Sequence, residues 1–127
     1  MLGGFQTSKI RIEVEATAEV LQRTLLSPEC FRQWCYPQRF ETGLPDRLTA
    51  GMHYSSWLGP LTIRHRVMTT QAGQLVVLLS EGIDGCHEFV WGDGWVQSSL
   101  EGISLLPLNL AQTYTLLQLR RFLQDAS

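Results

Sequence analysis

Apolar and polar residues alternate along much of the chain, which is the pattern of strands with one buried face and one wet face. Ile10, Ile12 and Val14 alternate with charged residues and predict the first strand. From residue 39 to residue 103, turn signals recur at intervals of about ten residues, as in an antiparallel meander. Six strands are predicted there, at 39–42, 51–58, 61–68, 75–80, 86–91 and 95–101, with turns that include Asp84-Gly85 and Gly92-Asp93-Gly94.

Two short helices are predicted between the first strand and the meander. Thr17 can cap a helix over residues 18–25. Ser27 can cap a second helix, with Pro28 at its first position, and Pro37 ends it. The chain therefore places its short helices before most of its strands.

The C-terminal part changes to a helical period over residues 105–123. Its apolar side chains form two nearly opposite rows, with Leu108, Leu116, Leu119 and Leu123 in one row and Leu110, Tyr114 and Leu117 in the other. An antiparallel meander must cover one face with apolar side chains, so we expect this helix to be the cover.

Four segments in this order carry a family resemblance: the strand 10–16, the segment 27–34 that ends in Trp34, the WGDGW hairpin at 91–95, and the lead 101–108 into the last helix. Together they resemble the START-like, or SRPBCC, superfamily, which includes birch-pollen-allergen-like proteins and polyketide cyclases. The resemblance covers nearly the whole chain. It implies an α+β helix-grip fold, in which a seven-stranded curved antiparallel sheet wraps around a long C-terminal helix, with two short helices after the first strand. It also implies one domain over residues 1–127.

In that superfamily the sheet and the helix enclose a mostly apolar cavity that binds hydrophobic small molecules. The resemblance therefore implies binding of a hydrophobic or amphipathic small molecule, in a small version of that cavity because the chain is short. The residues expected to line it, chosen by inward facing and size, are Trp34, Phe40, Tyr54, Ile63, His65, Leu79, Phe89, Leu110, Tyr114 and Leu117.

Two other functions remain open. A cyclase- or dehydratase-like enzyme would use the same cavity, with His65 and an acidic residue in acid–base roles. A non-enzymatic interaction module would have a collapsed cavity and would act through an apolar outer face. The segment 75–79 is apolar at every position, which predicts cover on both faces, either by a partner such as a second copy in a homodimer or by long side chains of neighbouring strands around a bulged or central strand. We expect binding rather than catalysis.

Composition and charge exclude several classes of function. The chain has 127 residues, 44% hydrophobic and 17% charged, which is typical of one globular domain. A net charge of −2 provides no basic field for nucleic acid. No run approaches the roughly 20 apolar residues of a membrane span. Because no secretory signal is evident at the N-terminus, and the three cysteines show no paired spacing, a cytoplasmic location is expected. No metal-ligand motif occurs, and no cofactor is expected.

Overall fold

A computed structural model describes residues 3–126 of the chain. In chain order, its elements are β1 (Gly4–Glu13), α1 (Ala18–Leu25), α2 (Pro28–Trp34), β2 (Arg39–Phe40), β3 (His53–Leu58), β4 (Leu61–Gln71), β5 (Gln74–Glu81), β6 (Ile83–Gly92), β7 (Trp95–Ser104) and α3 (Leu108–Ala126). None of the helices described is long and apolar enough to span a bilayer.

The strands form one antiparallel sheet in the order β1-β7-β6-β5-β4-β3-β2. After β1 the chain crosses, through α1 and α2, to the opposite edge of the sheet. It then returns strand by strand until β7 pairs with β1, from Gly4↔Ser104 to Glu13↔Trp95. With α3 packed against β1, β7 and α2, this is the predicted α+β helix-grip fold, which is confirmed.

The short helices begin at the residues that the sequence indicated. The side chain of Thr17 accepts a hydrogen bond from the backbone N–H of Val20, and Ser27 accepts one from Cys30. Pro28 occupies the first turn of α2, where its missing N–H costs nothing. These caps give partners to N–H groups that a helix start leaves free.

Helix α3 is attached to the β1–β7 edge by side-chain hydrogen bonds. Gln6 Oε1 accepts the backbone N–H of Leu108 at 2.9 Å, and its Nε2 donates to the carbonyl of Leu106 at 2.8 Å. Asn109 Nδ2 donates to Ser8 Oγ at 2.7 Å. The first turn of α3 is therefore held over one edge of the sheet rather than over its centre.

The core is built from alternate strand positions and from one row of α3. Leu75, Val77 and Leu79 of β5 are buried on the inner face. The buried row of α3 contains Leu108, Leu116, Leu119 and Leu123. The outer face of β5 is not covered within the described residues, since Leu78 is 40% exposed. The expectation of cover on both faces is therefore not met by this chain alone.

Several boundaries differ from the sequence prediction, including that of β1, which begins at Gly4 rather than at residue 10. Strand β2 has only two residues, and α3 begins at Leu108 rather than at 105. The turn predicted at Asp84-Gly85 falls at Glu81 and Gly82, with Glu81 in the left-handed region at φ 69°. Gly85 instead lies within β6 opposite Gly102 of β7. A Cβ on Gly85 would lie 1.9 Å from the carbonyl oxygen of Glu101, so this glycine marks a close approach of two strands rather than a turn.

Gly85→Ala is expected to lower the free energy of unfolding by about 2–3 kcal/mol, because the new methyl group must separate β6 from β7. Gly4→Ala is the matched control, since a Cβ there meets no atom within 4 Å. It should change the stability by less than about 0.5 kcal/mol. Urea denaturation of both variants measures the difference, and equal stabilities would contradict the packing argument.

Candidate ligand-binding cavity

A cavity of about 450 Å³ lies between the inner face of the sheet, α2 and the first half of α3. Its wall includes side chains from strands β2 to β7 and is predominantly apolar. None of the lining residues is Lys, Arg, Asp or Glu. The volume lies within the range of roughly 300–1,000 Å³ that is common for small-molecule sites.

Nine of the ten residues expected at the cavity line it: Trp34, Phe40, Tyr54, Ile63, His65, Leu79, Phe89, Leu110 and Tyr114. Those on strands follow from alternation, because every second residue of a strand points to the same face. Their role in ligand binding stays a prediction.

Leu117 lies away from the cavity, contrary to expectation, and is 50% exposed. It lines a separate depression on the outer side of α3, with Arg121 and Phe122 among its neighbours. The cavity contacts α3 at Ala111 and Thr115. At about 100° per residue, Leu117 is turned by about 120° from Ala111 and by about 160° from Thr115. Of the second apolar row of α3, only Leu110 and Tyr114 therefore line the cavity.

Exposed apolar side chains mark the entrance. Tyr36, Leu110 and Tyr114 are exposed and also belong to the cavity wall. Gln118 Nε2 donates a hydrogen bond to the backbone carbonyl of Tyr36, which connects α3 to the segment after α2. This rim is the part of the wall where an apolar molecule would first make contact.

Aromatic rings form a large part of the wall. Tyr54 and His65 stack face to face, with ring centroids 4.4 Å apart and planes inclined by 6°. Phe40 lies 6.2 Å from the Tyr54 ring and 6.3 Å from the His65 ring. Trp34 meets Phe89 edge to face at 6.4 Å. Flat rings held in this way suit apolar and aromatic ligands.

A first hydrogen-bond chain runs through Gln38, Ser56 and His65. Gln38 Nε2 donates to Ser56 Oγ at 2.7 Å, and Ser56 Oγ lies 2.7 Å from His65 Nε2. Ser56 has no exposed surface. Because Gln38 already donates to the Ser56 oxygen, we infer that the Ser56 hydroxyl donates to His65 Nε2, which places the His65 proton on Nδ1.

A second hydrogen-bond chain repeats this order with Gln112, Ser98 and His87. Gln112 Nε2 donates to Ser98 Oγ at 2.8 Å, and Ser98 Oγ lies 2.8 Å from His87 Nε2. Gln112 Nε2 also lies 3.0 Å from the carbonyl oxygen of Ser98 and 3.3 Å from that of Ser8. The same proton count makes Ser98 the donor and leaves the His87 proton on Nδ1. The buried Oε1 of Gln112 has no partner in the structure.

Both imidazoles are neutral near pH 7. Burial lowers the pKa of His65 to about 3, with a further contribution from the nearby His87, and burial lowers the pKa of His87 to about 4. Burial also raises the pKa of Tyr54 and of Cys35, so both keep their protons. The cavity therefore combines polar atoms with the absence of net charge.

The histidines of the cavity wall and their serine partners are the groups to consider for acid–base or nucleophilic roles. Ser56 and Ser98 have no exposed surface, although Ser98 belongs to the cavity wall, and each hydroxyl is hydrogen-bonded to its histidine. An imidazole with a pKa near 3 or 4 is a weak base at neutral pH. Among residues 3–126, no group of three or more His, Cys, Asp or Glu side chains could hold a metal ion.

Sequence reasoning missed most residues of the two hydrogen-bond chains. The residues expected at the cavity did not include Gln38, Ser56, His87, Ser98 or Gln112. A signal was present for two of them, because Ser98 interrupts an inward apolar row and Gln112 interrupts the buried leucine row of α3. Their partners could not be inferred, since the contacts join distant parts of the chain.

Comparisons with known proteins add the fold class. No family model and no curated protein matches the chain. Solved structures do match: protein CV1439 from Chromobacterium violaceum is 16% identical, with a TM-score of 0.72 over 92% of this chain and 96% of that chain. The Aha1 dimer from Colwellia psychrerythraea is 12% identical, with a TM-score of 0.68 over 93% of this chain and 96% of that chain.

A third similar structure is DynU16, a protein of the dynemicin biosynthetic locus. It is 12% identical, with a TM-score of 0.73 over 95% of this chain and 48% of that chain. At these identities the similarity shows the fold alone. The neighbours share the helix-grip fold of this chain, in agreement with the predicted architecture.

Stability should fall as the pH is lowered from about 6.5, the ordinary pKa of histidine in an unfolded chain. Between there and the native pKa values of about 4 and about 3, the unfolded chain binds protons that the folded chain does not. Each such histidine raises the unfolding equilibrium constant about tenfold per pH unit. Urea denaturation at pH 6.0, 5.5 and 5.0 measures the slope.

The double variant Ser98→Ala/His87→Phe removes one titrating group together with its hydroxyl partner. It should lose about half of the histidine-dependent slope in that range. An unchanged slope in this variant would contradict the assignment of His87 as a histidine kept neutral by burial.

Proposed function

We propose that this protein binds a hydrophobic or amphipathic small molecule in the cavity between the sheet and α3. The observation that carries the proposal is an open, uncharged cavity of about 450 Å³ with an aromatic wall. Removing apolar ligand surface from water at such a wall contributes about 25 cal/mol per Å². A few polar groups in the wall can then orient the ligand.

The alternative functions receive less support from the geometry. The described side chains leave the cavity open, which disfavours a module with a collapsed cavity. A cyclase- or dehydratase-like enzyme would need His65 together with an acidic residue, and no Asp or Glu lines the cavity. The three free cysteines fit a reducing compartment, so a cytoplasmic location is part of the proposal.

Ala111→Trp should abolish binding of an apolar ligand, because the indole would occupy the space beside α3. Leu117→Trp is the matched control on the same helix, since residue 117 lies away from the cavity. Binding of the neutral fluorescent probe N-phenyl-1-naphthylamine measures the effect. We expect an affinity loss of at least tenfold for Ala111→Trp and less than twofold for Leu117→Trp, with both variants folded by circular dichroism.

Native mass spectrometry of the protein purified from cells, followed by denaturing extraction, tests the same proposal without a variant. A reproducible apolar molecule near one per chain would support it. Equal probe binding by Ala111→Trp and the unchanged protein, or a protein that binds neither the probe nor any extracted molecule, would overturn it.

A homodimer through the outer face of the sheet is a separate proposal. It is supported by the exposed Leu78 on β5, a strand whose outer side has no cover within the described residues. The Aha1 structure from Colwellia psychrerythraea is that of a dimer. Sedimentation velocity between low and high micromolar concentrations should show a concentration-dependent increase in mass that Leu78→Glu removes. A monomer at high micromolar concentration would exclude this assembly.

A further inference from the structure

The two hydrogen-bond chains leave each cavity imidazole with one nitrogen that has no protein partner. In both chains Nε2 is occupied by a serine hydroxyl. No hydrogen bond from the described residues reaches Nδ1 of His65 or of His87, and both residues line the cavity. Because the serine donates, each Nδ1 carries a proton and acts as a donor.

In each hydrogen-bond chain, the glutamine favours the serine as donor to the histidine. Gln38 donates to Ser56, and Gln112 donates to Ser98, so neither serine can turn its hydroxyl hydrogen toward its glutamine. The hydroxyl hydrogen is then available to the histidine, and the imidazole takes the tautomer with Nδ1–H. The same Gln–Ser–His arrangement therefore occurs twice in the cavity, at His65 on β4 and at His87 on β6.

We propose that the cavity selects an uncharged, largely apolar ligand whose carbonyl-type oxygen atoms accept hydrogen bonds from the Nδ1–H groups of His65 and His87. This inference rests on the proposed function and adds the chemical class of the ligand. It separates ketones, esters and similar neutral molecules from carboxylic acids of the same size.

The positions of the two histidines set a scale for the ligand. His65 on β4 pairs with Leu79, and His87 on β6 pairs with Val77, so the two donors lie on either side of β5. Strands are about 4.8 Å apart, which separates these two backbones by about 10 Å. A ligand that meets both donors needs two oxygen atoms on an extended or multi-ring framework, whereas a smaller one meets a single donor.

Anionic ligands are disfavoured because the cavity wall contains no cationic side chain. No lysine or arginine lines the cavity, and both imidazoles resist protonation because they are buried. A carboxylate would lose its hydration without gaining a cation, which is far more costly than burying a hydrogen-bonded carbonyl. A neutral imidazole donates a hydrogen bond through Nδ1–H but offers no positive charge to attract an anion.

Three probes of similar size on one naphthalene ring system test the inference: 2-acetylnaphthalene, 2-ethylnaphthalene and 2-naphthoate. Titration calorimetry at pH 7.5 gives the affinity of each for the unchanged protein and for two paired variants, Ser56→Ala/His65→Phe and Ser98→Ala/His87→Phe. Each pair removes a histidine without leaving its serine hydroxyl unpartnered. The ratio of ketone to hydrocarbon affinity corrects for the different hydrophobicity of the probes.

We expect that ratio to fall about three- to tenfold in at least one paired variant, the worth of one neutral hydrogen bond. His53→Phe is the matched control, since His53 is exposed and does not line the cavity. We expect naphthoate to bind at least a hundredfold more weakly than the ketone.

Infrared spectroscopy gives a readout that does not depend on any variant folding. The carbonyl stretch of bound 2-acetylnaphthalene should shift to lower wavenumber than in a hydrocarbon solvent. An unshifted stretch, an unchanged affinity ratio in both paired variants, or naphthoate binding equal to that of the ketone would each overturn the inference while leaving an apolar cavity intact. Failure of all three probes, the hydrocarbon included, would overturn the proposed function as well.

Discussion

The attachment of α3 to one edge of the sheet is the constraint on which the cavity depends. Gln6 and Asn109 hold the first turn of the helix to β1, and Gln112 connects its second turn to Ser8 and Ser98. A helix centred over the sheet would fill the space between the two layers with its own leucines. Because these bonds hold its start over β1 and β7, the inner faces of the more distant strands are left to enclose the cavity with α2.

Gln112 links this attachment to the chemistry of the site. The same Nε2 group that reaches the backbone of two strands also donates to Ser98 Oγ, and Ser98 then sets the proton position on His87. Burying a polar group costs little when it has hydrogen-bond partners, and Nε2 of Gln112 finds them on the sheet, whereas its Oε1 has none in the structure. Gln112 therefore contributes both to the position of the helix and to the hydrogen bonding of His87.

The solved structures that share this fold have little sequence in common with the chain, at 12–16% identity for the three compared above. This is expected for a fold that depends on alternation of apolar and polar residues, on turn positions and on one apolar helix, since many residues satisfy each requirement. The side chains inside the cavity are under no such common requirement. Fold similarity therefore leaves the ligand to be argued from Gln38, Ser56, His65 and their counterparts.

The amino-acid sequence alone was enough to predict the element order, the antiparallel meander, the capped short helices and nine residues of the cavity wall. These follow from local periodicity and from residues such as Thr17 and Ser27, whose preferences act within a few positions of the chain. Besides element boundaries, its errors included Gly85, where a glycine serves close strand packing instead of a turn, and Leu117, where two apolar rows on one helix could not be told apart.

Which side chains of α3 line the cavity, and which polar residues meet there, depends on the tertiary structure. Gln112 and Ser98 are 14 residues apart, and Gln38 and Ser56 are 18 residues apart, in segments that the sheet brings together. Hydrogen bonds between such segments leave no periodic trace in the sequence, because they depend on register and on where the helix crosses the sheet. The neutral, directed imidazoles of the cavity are a consequence of that assembly.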